Sequence, residues 1–171
     1  MMNKTRKMMS VTMLVAISIL FHLIESMIPI PVPIPGFKLG LANIVGLIAL
    51  YLYDEKIMLS VNLMRVLLAS LLRGILFAPG FWLSLSGVLL SSCAAILAKK
   101  YSSMTRFGVS CASSAFHVIG QVIAVTFIYN QFLMGALLPI LLLLSIPTGL
   151  FTGYLAGQVL ERLAIERNES I

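Results

Sequence analysis

PIPVPIPGFKLGLAN, Pro29 to Asn43, is the stretch that decides how this chain is read. Four of the seven positions from Pro29 to Pro35 are proline, and each proline lacks the backbone N–H that a continuing helix needs. Gly36 follows as a turn residue, and Phe37 to Asn43 leads into a second long apolar run. The first apolar run lies before it, from Met8. In lipid, non-helical backbone is tolerated only where protein or water covers its polar groups. The stretch therefore reads as a fixed cap over residues 29–40 between two membrane helices, with Lys38 and Asn43 at its polar edge. A rigid connector without any ligand role is the plainer alternative.

Composition extends this reading to the whole chain. Of 171 residues, 60% are hydrophobic and 11% charged, against about 25% charged in ordinary soluble domains. A membrane span takes about 20 apolar residues, so the sequence has room for about six spans in one integral membrane domain. Residues 1–7 read as a basic cytoplasmic N-terminus and 164–171 as a charged tail. The net charge of +6 does not mark a nucleic-acid surface, because the basic residues sit at the edges of the spans, where the positive-inside bias places them. Cys93 and Cys111 lie in apolar runs without metal-ligand spacing and read as buried thiols. Lys4, Arg6 and Lys7 before an apolar run resemble a signal peptide. A proline cluster stands where a small-residue cleavage site would be, so the run reads as a retained first helix.

Taken in order, the expected helices cover residues 8–28, 41–53, 57–77, 81–98, 107–129 and 132–163. In the first, Ser18, His22 and Glu25 share a face, while Thr12 and Ala16 form a small-xxx-small pair on another. Asp54, Glu55 and Lys56 read as a tight polar turn. In the third, Asn62, Arg65, Ala69 and Arg73 fall on one stripe at 3.6 residues per turn, with Ala78, Pro79 and Gly80 closing the helix. Ser84, Gly87, Ser91 and Ala95 on the fourth read as a packing seam. The fifth carries Ser110, Ser113, Ser114, His117 and Gln121 on one face. In the sixth, Pro139 and Pro147 mark kinks, and Gly149, Gly153 and Gly157 make two overlapping GxxxG motifs, read as packing inside the bundle rather than dimerisation. Trp82 and Tyr129 read as interfacial anchors.

Six spans put the N-terminus, the turn at 54–56, the loop at 99–106 and the C-terminus on one side. That side holds nine Lys and Arg residues and the other only Lys38, so both termini are expected in the cytoplasm. At 1.5 Å per residue, Arg73, Glu25 and His22 fall in the outer half, Gln121 slightly deeper, His117 and Arg65 near the middle, and Asn43 at the outer mouth. Ionisable residues inside a membrane usually mark pathways. Two readings fit: an outward-facing pocket for an anionic or polar-headed small molecule, favoured here, and a structural network in which Glu25 neutralises Arg73. Neither a Walker A motif nor HExxH or GxSxG occurs. Asp54 is the lone aspartate, so no carboxylate cluster is available to hold a metal diphosphate. No enzyme activity, cofactor or metal is expected.

At FKLGLANIVGLIALYL, Phe37 to Leu52, the chain resembles the Gx transporter family, also labelled heptaprenyl diphosphate synthase component I. The basic N-terminus, the proline loop, KLGLAN and the arginine-bearing third helix carry that resemblance across nearly the whole length. The family is in turn similar to the S components of energy-coupling factor (ECF) transporters, six-helix proteins that capture vitamins or metals from outside. The resemblance implies a multi-pass protein of the bacterial cell membrane with an all-α, six-helix fold. It implies a small-molecule substrate, and as partners a transmembrane coupling subunit and two ATPases. Thr12 and Ala16 then stand where S components dock, with a threonine in place of one of the usual two alanines. The alternative label implies a non-catalytic membrane subunit of isoprenoid or quinone biosynthesis. A purely structural subunit of a membrane complex is a third possibility.

Overall fold

A computed structural model describes residues 4–27, 40–130 and 132–169. Among the described residues the chain is all helical. The helices are α1 (Lys4–Met27), α2 (Leu41–Leu52), α3 (Glu55–Leu72), α4 (Pro79–Tyr101), α5 (Arg106–Tyr129) and α6 (Leu138–Glu169), and a 3₁₀ segment at Phe132–Leu137 leads into α6. Four of them, α1, α4, α5 and the run through α6, are long and apolar enough to cross a membrane. The proline cluster and Lys38 lie outside the described residues.

The helix ends follow local chemistry. The expected polar turn at 54–56 is an N-terminus: Asp54 is extended and its carboxylate accepts the Ile57 amide at 2.8 Å. This is the usual work of an N-cap aspartate. Thr105 does the same for α5, accepting the Gly108 amide at 3.4 Å. Pro79 does not close α3 but opens α4, where its missing N–H costs nothing. α3 stops five residues before the expected Phe77. Gly74, with φ 65°, bonds the Leu71 carbonyl, and the Ile75 amide bonds Ser70, the paired bonds of a Schellman stop. Pro139 stands in the first turn of α6, where proline is tolerated, and Pro147 lies inside that helix. The helix continues to Glu169, beyond the expected fraying point at Leu163.

Helix α2 sits at the centre. Every residue from Ala42 to Leu50 is buried, which accounts for a sequence apolar on all sides. α2 packs against α1, α3, α6 and, lightly, α4, while α3, α4, α5 and α6 follow one another around it. Lys99 donates to the Leu50 carbonyl at 2.6 Å, and its ammonium stands 4.8 Å from the Tyr51 ring centre. A cation at a helix C-terminus meets carbonyls that lack helical donors.

Small residues set the closest approaches. A Cβ on Gly120 would stand 2.6 Å from the Ser86 carbonyl oxygen, so α4 and α5 touch backbone to backbone. A Cβ on Gly149 would stand 2.7 Å from the Cys111 Cα, and Ser110 donates to the Gly149 carbonyl at 2.7 Å. The GxxxG run, at Gly149 and Gly153, is thus used inside the bundle against α5. Cys93 is exposed and Cys111 partly so, a correction to the expectation of buried thiols; Cys111 lies along the contact with α6, where its thiol meets the Ile146 carbonyl at 3.7 Å.

Candidate functional site

Seven of the nine residues expected to bind substrate are buried. Ser18, His22 and Glu25 turn inward from α1, Asn43 from α2, Asn62 and Arg65 from α3, and His117 and Gln121 from α5. Glu25 accepts a hydrogen bond from the amide of Gly40, which precedes α2. Gly40 adopts φ 84°, a left-handed conformation open to glycine at little cost. The bond fixes the entry of α2 against α1. Asn43, in the first turn of α2, accepts from Arg65 Nη2 at 3.2 Å.

Arg65 is the central charge. It is 1% exposed, and Glu25, 3% exposed, acts on it electrostatically. Its Nε and Nη1 have no hydrogen-bond partner among the described residues. Those two atoms carry three N–H donors, and leaving buried donors unmet costs about 1–3 kcal/mol or more when they are charged. Arg65 borders a cavity of about 10 Å³ that is also lined by His22, Glu25, Gly40, Asn43, Ser84 and His117 with Ala42 and Val88. That is about the room one water molecule needs. Five helices or their ends thus converge on one guanidinium. His22, Glu25, Ser84 and His117 each engage other groups as well.

The remaining expected residues lie elsewhere. Asn62 is one turn from Arg65 and donates to Ser92 at 2.9 Å, away from the cavity. Gln121 packs with His117 against Gly87. Arg73 is a correction: it keeps the helical amide bond to Ala69, but as the C-cap at the end of α3 it is exposed rather than buried with Asn62 and Arg65. Among the described residues the buried layer therefore holds one guanidinium against one carboxylate. The pairing of Glu25 with Arg73 gives way to Glu25 with Gly40 and Arg65. Ser84, read only as part of a seam, lines the cavity, and so does Gly40. The partner of the Gly40 amide comes from α1, which no local signal announces. Among the described residues no group of three His, Cys, Asp or Glu could hold a metal ion.

Residues 14–159 match the family described as heptaprenyl diphosphate synthase component I. The chain belongs to that family. The match takes in every residue of the cavity, from His22 to His117, and leaves Thr12 on one side and Arg162 on the other. In this heptaprenyl diphosphate synthase component I family member the buried polar centre is therefore part of the shared region. No curated protein and no solved structure matches the chain.

Proposed function

We propose that this protein is a substrate-binding membrane subunit of the S-component type, taking up a small molecule with an anionic or polar head and working with a separate ATP-driven module. The observation that carries this reading is Arg65: a guanidinium buried at the meeting point of α1 to α5, lining a polar cavity, with three N–H donors unmet among the described residues. Arginine is suited to such recognition because its donors are fixed in a planar fork that matches carboxylate and phosphate oxygens. In this closed form the cavity admits about one water, so loading requires the helix ends around Gly40 and Ser84 to separate. Thr12 and Ala16 are exposed on α1 and are the proposed contact with a coupling subunit.

Native mass spectrometry of gently purified protein tests the reading, together with identification of co-purifying chains. A retained anionic small molecule, with a membrane coupling subunit and ATPases, is the expected result. Ala16→Leu should then release the coupling subunit and keep the small molecule. The family description supports a second reading, a non-catalytic membrane subunit of prenyl diphosphate synthesis. Recovery of a soluble prenyltransferase and no small molecule would favour that reading and overturn the first.

A further inference from the structure

α1 carries a third face that neither the polar centre nor the small-residue pair uses. At 100° per residue, Met13, Ile17 and Phe21 are centred roughly 120° around the helix from Thr12 and Ala16. This face does not close onto α6. Between the two helices runs a groove of about 760 Å³, with α2 as its floor at Ile44 and Ile48 and α6 as its far wall at Leu155 and Val159. Its walls are apolar over most of their length. At one end Ser10, Tyr53, Gln158 and Arg162 enter the lining.

That end is cationic. Arg162 has no ion-pair partner among the described residues, and the adjacent Glu161 pairs with Arg106 at 3.1 Å. Lys7 stands 5.8 Å from the centre of the Tyr53 ring and 3.7 Å from Asp54. Lys7 is thus paired with Asp54 beside the mouth, and Arg162 is the unpaired cation in its lining. An apolar trough ending in an unpaired guanidinium is complementary to an amphiphile with one hydrocarbon chain and an anionic head.

We propose that this groove holds one acyl chain of an anionic membrane phospholipid, its phosphate on Arg162. Basic pockets between membrane helices are recognised sites for anionic headgroups, and arginine takes a phosphate through two parallel bonds. Two features favour a bilayer phospholipid over a prenyl diphosphate. The groove is open along its side, so the chain enters laterally from the bilayer. The mouth also offers one unpaired guanidinium, which matches the single negative charge of a phosphodiester. This site shares no residue with the Arg65 cavity, so it stands independently of the proposed uptake function.

The test uses the full chain in nanodiscs containing equal amounts of phosphatidylglycerol and phosphatidylcholine, followed by mild detergent extraction and native mass spectrometry. One bound phosphatidylglycerol per protein is expected, with phosphatidylcholine absent. Arg162→Gln should lower that occupancy roughly tenfold, the loss expected for a single charge-assisted bond. Met13→Trp with Val159→Trp, both at partly exposed wall positions, should displace the lipid without altering the thermal melting of the protein. Equal retention of both lipids, or unchanged occupancy in Arg162→Gln, overturns the headgroup assignment. Unchanged occupancy in the tryptophan variant overturns the groove as the location. Adding farnesyl diphosphate to the discs completes the test, since its displacing phosphatidylglycerol at equal concentration would assign the groove to prenyl diphosphates instead.

Discussion

Arg65 Nη2 donates to Asn43 Oδ1 at 3.2 Å, a bond that ties the middle of α3 to the first turn of α2. The same guanidinium leaves Nε and Nη1 without a partner among the described residues, so under the proposed function one edge is structural and the rest meets the ligand. This division of labour makes the two roles separable by mutation.

Arg65→Ala should reduce affinity for the anionic ligand about tenfold to hundredfold, the equivalent of a charged hydrogen bond of roughly 1.5–3 kcal/mol. Arg65→Lys keeps the charge and loses the fork, and should fall between the parent and the alanine variant. The measurement is the fraction of small molecule retained, or its affinity, compared at matched thermal stability. Unaltered retention in Arg65→Ala would make the residue purely structural.

Arg73→Ala should change neither binding nor melting by more than about 0.5 kcal/mol, as for an ordinary surface substitution. The contrast with Arg65→Ala follows from eight residues of sequence and one glycine. By spacing alone the two arginines are equivalent. A binding loss in Arg73→Ala comparable with that in Arg65→Ala would contradict the exposed position of this C-cap.

That glycine shows where the sequence was readable and where it was misread. The six helices, their order and the inward faces of α1 and α5 follow from hydrophobic periodicity, because burial selects residue type directly. The end of α3 was also written in the chain, since Arg73-Gly74 before a proline is a stop signal, yet the apolar run through Phe77 outweighed it. The cavity was legible as a set of polar residues on inward faces and not as a geometry. Nothing local states that Glu25 meets the Gly40 amide fifteen residues on, or that Asn62 turns to Ser92 instead of to Arg65. The groove was illegible, because it exists only through the failure of α1 and α6 to meet over α2.

Gly120→Ala should destabilise the bundle by about 1–3 kcal/mol, the usual cost of overpacking. Its new methyl would lie 2.6 Å from the Ser86 carbonyl oxygen, a backbone atom with no room to retreat. Gly135→Ala is the matched control, as nothing stands within 4 Å of its Cβ position. Thermal unfolding of both variants in one detergent measures the difference. Equal melting temperatures would mean that α4 and α5 pack more loosely than this contact requires.

Topology is tested by labelling. In a chain with Cys93 and Cys111 replaced by alanine, a cysteine at Gly36 should react with a membrane-impermeant maleimide in intact cells. One at Ser102 should react only after lysis. The reverse pattern would invert the proposed orientation, with both termini on the outside.

The shortness of α2 has an electrical consequence. Twelve residues make a helix of about 18 Å, against about 30 Å of hydrocarbon. Its Tyr53 end joins the Asp54 cap beside Lys7 at the membrane edge, so the Gly40 end lies roughly 12 Å below the opposite boundary. With the termini cytoplasmic, as proposed, an anion descending to Arg65 crosses about two-fifths of the low-dielectric layer and moves against an inside-negative voltage. At about 2.3 kcal/mol per charge per 100 mV, that opposes its entry by roughly 0.9 kcal/mol. Occupancy of the site by a monoanion should therefore rise about fivefold when a 100 mV potential is collapsed, whereas a zwitterion would bind equally well at either voltage.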